Sequence, residues 1–134
     1  MNIIDAIINL ANNPVVGVES HSQSNNRANQ AGDALEEYVK DLFSGSFNLN
    51  ETQRIARHAK VFSYLGNNSN PPDAMLRNGD AIEVKKIESK DSALALNNSH
   101  PKSKLSVDDS MLTKACKDAE KWEEKDIIYN CRRR

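Results

Sequence analysis

Asp73, Glu83 and Lys85 are the residues of this chain whose types and spacing suit chemistry as a group. Nine residues separate the two acids, and the lysine follows the second by two. Alternate residues of a β-strand share a face, so Glu83 and Lys85 point the same way if they lie on one strand. If Asp73 stands across from Glu83 on a neighbouring strand, their side chains are roughly 5 Å apart. Two carboxylates so placed repel each other. They stay ionised only with a cation between them, and otherwise one is driven towards its protonated form. Mg²⁺ takes one or two carboxylates together with waters and phosphate oxygens, so this face is an expected Mg²⁺ site working on a phosphodiester.

The element that must position them is a hairpin across Asn78-Gly79, between two short runs with apolar residues at alternate positions. A two-residue loop pairs Arg77 with Asp80 and puts Ala74, Leu76, Ala81, Glu83 and Lys85 on one face, mixing apolar and charged side chains. A three-residue loop, Arg77-Asn78-Gly79, pairs Leu76 with Asp80 and Ala74 with Ile82, with Gly79 expected in the left-handed conformation. The faces then separate. Ala74, Leu76, Ile82 and Val84 form the apolar side, and Asp73, Met75, Ala81, Glu83 and Lys85 the other. Because a one-residue slip exchanges the faces of a strand, burial selects the three-residue loop.

Pro72-Asp73 followed by Glu83-Val84-Lys85 resembles the PD-(D/E)XK nuclease signature. From Ala31 to Tyr129 the wording is more closely similar to the NgoPII-type type II restriction endonucleases. The stretches that carry this are Gly32-Asp33-Ala34-Leu35-Glu36, Phe62-Ser63-Tyr64-Leu65-Gly66 and Gly79-Asp80-Ala81-Ile82-Glu83-Val84-Lys85-Lys86. The resemblance implies an α/β fold with a mixed sheet in an αβββαβ core, and cleavage of duplex DNA at GGCC within a restriction-modification system. It implies Mg²⁺ held by Asp73 and Glu83, with Glu36 on the first core helix as a further ligand, and Lys85 positioning the attacking water. Cutting both strands of a palindrome implies a homodimer. Guanine acceptors in the major groove favour basic donors. Arg27, Lys90, Lys102 and Lys104 are the DNA-binding candidates, with Ser99, His100 and Asn26 in support, and phosphate contact is the favoured role for each.

The chain's 134 residues suit one domain, divided here into an N-terminal helix and polar loop (1-28), a core (29-129) and a basic tail (130-134). A net charge of -1 gives no global attraction to nucleic acid, so DNA contact must come from a local patch. Between Lys85 and Lys104, five lysines against two acids supply one. Low aromatic content and a mean hydropathy of -0.68 predict a thin core. No apolar run reaches membrane-spanning length, the N-terminus lacks the basic lead of a signal peptide, and two cysteines fit a reducing cytoplasm.

Along the chain, Ile3, Ile4, Ile7, Ile8 and Ala11 predict a helix whose apolar face is core rather than a subunit contact. Ala31, Ala34, Leu35, Tyr38, Val39, Leu42 and Phe43 predict a second helix, from about Asn29 to Phe43. Asn50 with Gln53 marks the cap of a third, through about His58, before a strand at Val61–Leu65. Ser106 with Asp109 suggests the cap of a fourth helix carrying Met111, Leu112, Ala115, Ala119 and Trp122 to about Glu124. His58 and His100 form no metal-ligand or triad spacing and read as non-catalytic. Asp126–Tyr129 then begins a strand that crosses over to pair with Glu83's strand, and Asn130–Arg134 is expected to end it. The resembling enzymes continue beyond this point, so the expectation is a chain cut short at its C-terminus. That keeps a second reading open, a non-catalytic remnant with residual DNA or partner binding. A third, a repair or junction-resolving nuclease of the same fold, fits the wording outside the motif less well.

Overall fold

The computed structural model describes residues 2-14, 27-87 and 102-133, and at 27-33, 87 and 133 the backbone alone. The chain divides into two compact units, Met1–Phe62 and Ser63–Arg134.

The first unit is helical. α1 (Ile3–Asn12) starts at Asn2, whose side chain accepts from the Ile4 and Asp5 amides while Asp5 reaches back to the Asn2 amide, a reciprocal cap. Its expected apolar face is not core. Ile4 and Ile7 are 64% and 57% exposed, and Ala6 is the buried residue of the helix. The reason is that α1 docks on α2 (Arg27–Ser44) through polar anchors: Asn9 donates to the Leu42 carbonyl at 2.7 Å, and Tyr38 donates to the Asn13 carbonyl at 2.6 Å. α2 buries Ala34, Leu35, Val39, Leu42 and Phe43, as its periodicity predicts. Gly45, at φ 64, ends it. α3 (Glu51–Val61) has the expected Asn50/Gln53 capping box and runs about one turn past His58.

The second unit is built on a five-stranded mixed sheet of β1 (Phe62–Tyr64), β2 (Ala74–Leu76), β3 (Ala81–Ile87), β4 (Lys104–Ser106) and β5 (Glu124–Arg133), in the order β1-β2-β3-β5-β4. The unit boundary falls inside β1. β2 and β3 pair antiparallel, β3 and β5 parallel, and β5 and β4 antiparallel. This is the mixed α/β sheet expected of a restriction-endonuclease-like core. The parallel partner of β3 is where the sequence placed it, but it does not stop near Tyr129. Residues 130-133 are strand rather than tail, because Lys85, Lys86 and Ile87 face Cys131, Arg132 and Arg133 across a backbone ladder indifferent to side-chain charge.

The long helix expected from Ser106 to Glu124 is absent. Ser106 Oγ and Asp109 Oδ1 accept from the Asp108 and Met111 amides, closing turns instead of capping a helix. The helical turn that does form, α4 (Lys114–Lys117), is capped by Thr113. Leu112 and Cys116 still reach a core, packing with Met75, Ala81 and Leu105 while Ala119, Trp122 and Ile127 flank them.

Candidate active site

Met75 and Ala81 are fully buried, as are Ala74 and Ile82 on the opposite face, so the middle of the hairpin is core on both sides. Along the paired strands, charged side chains lie at the end away from the turn, while Arg77 and Asp80 belong to the loop and its edge. The expected charged face therefore exists only around Asp73, Glu83 and Lys85.

The three-residue register is the one adopted. Ala74 pairs with Ile82 and Met75 with Ala81, and the Leu76 amide donates to the Asp80 carbonyl at 2.9 Å. One detail differs. Asn78, at φ 55, takes the left-handed position, and Gly79 does not. Asn tolerates that region better than most residues. Gly79 matters for space, since a Cβ there would lie 3.1 Å from Leu76 Cβ.

Two residues the sequence did not flag hold this turn. Lys125, 6% exposed, donates to the Leu76 and Gly79 carbonyls at 3.1 and 2.7 Å and to Glu120 Oε1 at 2.5 Å. Both Glu120 oxygens accept from the Asn78 amide. A lysine among charged surface residues gives no periodic signal, so only the strand register shows that it lies beneath the turn.

At the other end, Asp73 does not simply continue the ladder. Its amide donates to the Ile82 carbonyl at 3.0 Å, so Asp73 and Ala74 both stand against Ile82, a bulge that re-aims the aspartate. Asp73 Oδ2 accepts from the Val84 amide at 2.6 Å, which fixes the carboxylate beside Glu83. Gly66 allows the preceding loop to lie against this residue: at φ 83, any Cβ would sit 2.2 Å from the Asp73 carbonyl oxygen.

Glu83 is 5% exposed. Burial pushes its carboxyl up to about 7, the Asp73 carboxylate pushes the same way, and Lys85 pulls it back. Lys85 Nζ lies 3.4 Å from Glu83 Oε2. Among the described residues Lys85 is the cation that offsets the Glu83 charge, and the raised Glu83 carboxyl shows that burial and Asp73 outweigh it. A cavity of about 370 Å³ opens on Asp73, Glu83 and Lys85, walled by residues of the Asn67–Pro71 loop and by Met111. Among the described residues no group of three or more His, Cys, Asp or Glu side chains could hold a metal ion. A two-carboxylate site completed by water and phosphate needs no third, and the paired acids, the under-compensated charge and the adjoining space fit Mg²⁺.

The family model for the NgoPII restriction endonuclease matches residues 1–132. The chain belongs to the NgoPII restriction endonuclease family. It is 99% identical over 129 residues to the type II restriction enzyme NgoPII of Neisseria gonorrhoeae, a match covering 96% of this chain and 46% of that relative. The chain thus spans about half the relative's length. No solved structure matches it.

The other residues expected in an NgoPII-family site are placed as follows. Glu36 is half-buried on α2 in the first unit. Arg27 opens α2, with its side chain outside the described atoms. Lys90, Ser99 and His100 lie outside the described residues. Lys102 is exposed and 3.4 Å from Asp109, and Lys104 is 2.9 Å from Glu124 and 3.8 Å from Asp126. Two of the lysines in the basic stretch read from sequence, Lys102 and Lys104, are therefore paired with acids from elsewhere in the chain. His58 is structural, its Nε2 lying 3.0 Å from Asp41 and 3.1 Å from Ser46.

Proposed function

We propose that the hairpin is the hydrolytic centre of a Mg²⁺-dependent type II site-specific deoxyribonuclease that cuts duplex DNA at GGCC in a restriction-modification system. The observation that carries this reading is the Asp73–Glu83 carboxylate pair, with Glu83 buried and its carboxyl pushed up, open to a cavity within a chain of the NgoPII restriction endonuclease family.

Asp73 and Glu83 would hold the ion. Bound Mg²⁺ supplies charge neutralisation at the scissile phosphate and eases ionisation of water. Asp73 is oriented for its task by the Val84 amide. Glu83, whose carboxyl burial and Asp73 push up to about 7, would serve as a carboxylate ligand in its ionised form. Lys85 orients the attacking water and offsets the negative charge that develops on the phosphate oxygens. Arg27, Lys90, Ser99, His100, Lys102 and Lys104 are proposed to contact DNA, chiefly at phosphates. Lys102 and Lys104 would exchange Asp109 and Glu124 for them.

The proposed working form is a cytoplasmic homodimer, since a two-fold site on DNA calls for a two-fold enzyme. No helix of the described residues is long and apolar enough to cross a membrane.

The test is cleavage and binding of a GGCC duplex by Glu83→Ala and Lys85→Ala, made in this chain and in the longer relative. Both substitutions should abolish Mg²⁺-dependent cleavage while duplex binding changes by no more than about threefold. Cleavage that survives Glu83→Ala, or loss of binding with cleavage intact, sinks the catalytic assignment.

A further inference from the structure

The hairpin sequence carries two competing instructions. Asn-Gly favours a two-residue loop in which both residues take positive φ, whereas the structure has a three-residue loop with only Asn78 there. The difference is one residue of register. In the two-residue loop Ala81 would face Leu76 instead of Met75, and Asp73 would move to the face opposite Glu83. Something outside the turn selects the register.

We infer that Lys125 and Glu120 are the register-setting pair of this hairpin, and that they act in catalysis as positioning residues by keeping Asp73 beside Glu83. This rests on the proposed catalytic role of those two acids. An ammonium has three hydrogens, and all three of Lys125 are committed: to Leu76 O, to Gly79 O and to Glu120. Those two carbonyls bracket Arg77-Asn78. Glu120 takes the Asn78 amide in turn, so each end of the pair bonds a backbone group of the observed loop. A slipped strand would move Leu76 O out of this arrangement. It would leave a buried ammonium short of an acceptor, which is costly where no water replaces it. Lys125 is itself held in place by β5, whose parallel register sets Ile127 against Ala81 and thereby brings Lys125 level with Gly79. The turn is read from a neighbouring strand, independently of the hairpin's own side chains.

The test uses Lys125→Met, which keeps the bulk and removes the donors. In the native register Met75 and Ala81 form a closely spaced pair whose α-protons give a strong cross-strand nuclear Overhauser contact. In Lys125→Met the Ala81 contact should move to Leu76, and cleavage should fall on the order of a hundredfold, as expected for displaced catalytic groups. A lysine that only adds stability would lower the melting temperature without moving this contact. If Lys125→Met fails to fold, Glu120→Gln, which keeps the buried lysine, gives the same reading, with both contacts expected. A folded variant of either kind that keeps the Met75 contact alone overturns the inference. A shifted contact with undiminished cleavage overturns instead the catalytic reading of Asp73 and Glu83.

Discussion

Two carboxylate clusters in this molecule are treated in opposite ways. In the first unit Asp41 accepts from Arg54 at 2.8 Å and from Ser46 at 2.5 Å, with His58 3.0 Å away, and Arg54 also pairs with Glu37. Burial works against the Asp41 charge, but the hydrogen bonds from His58, Ser46 and Arg54 outweigh it and hold the carboxyl below the usual aspartate range. In the second unit Glu83 has burial and Asp73 both acting against its charge, with Lys85 in support, and its carboxyl rises to about 7. The first cluster completes itself with groups of its own chain. The second is left short of positive charge beside a cavity. A buried acid that serves the fold is neutralised internally, whereas one that serves a ligand is left for the ligand to neutralise.

Glu83→Ala should lower Mg²⁺-dependent cleavage on the order of a thousandfold without unfolding the chain. The counterpart, Asp41→Ala, should cost about 2 kcal/mol of stability in denaturant unfolding, because half-buried Arg54 loses part of its pairing and buried His58 loses its carboxylate partner. If the two substitutions exchanged phenotypes, the distinction between the clusters would fail.

The pH response should differ in sign. Glu83 binds its proton more tightly folded than unfolded. Its contribution is fully present below its ordinary value of 4.5 and is lost as pH rises through about 7 in the absence of metal. Asp41 behaves conversely, its contribution present above 3.8 and lost as pH falls through its lowered value. Thermal melts of metal-free protein should therefore show Glu83→Gln raising Tm by about 4 °C at pH 8 and leaving it unchanged at pH 4, with Mg²⁺ cancelling the advantage. The smallest effect belongs to Lys104→Ala. It should leave the unfolding midpoint unchanged, because its pairs are exposed, and should reduce the salt slope of DNA binding by about one if the lysine meets a phosphate.

What could be read from sequence follows from which interactions are local. The α2 stripe, the Asn50/Gln53 cap and the hairpin register all depend on residues within a few positions of one another, and each is present in the structure. The register was legible because one choice separated Ala74, Leu76 and Ile82 from Asp73 and Glu83. What was missed depends on distant partners. The spacing of Met111, Leu112, Ala115, Ala119 and Trp122 fits a helix, yet Ser106 and Asp109 close turns and Thr113 begins the helical turn that forms. The α1 stripe is apolar, but Asn9 and Tyr38 decide how that helix docks. Lys125 is separated by 46 residues from the Gly79 carbonyl it binds. The bulge at Asp73 likewise leaves no mark in the pattern, although it is what turns that carboxylate towards Glu83 and the Val84 amide.

The central claim is that Asp73 and Glu83 form a cation site, and calorimetric titration of metal-free protein with Mg²⁺ at pH 7, in buffers of different ionisation enthalpy, tests it most directly. Binding should release protons as Glu83 ionises, and both binding and release should disappear in Glu83→Gln. Mg²⁺ binding of equal strength in Glu83→Gln, or binding without proton release in the unsubstituted protein, would contradict the account.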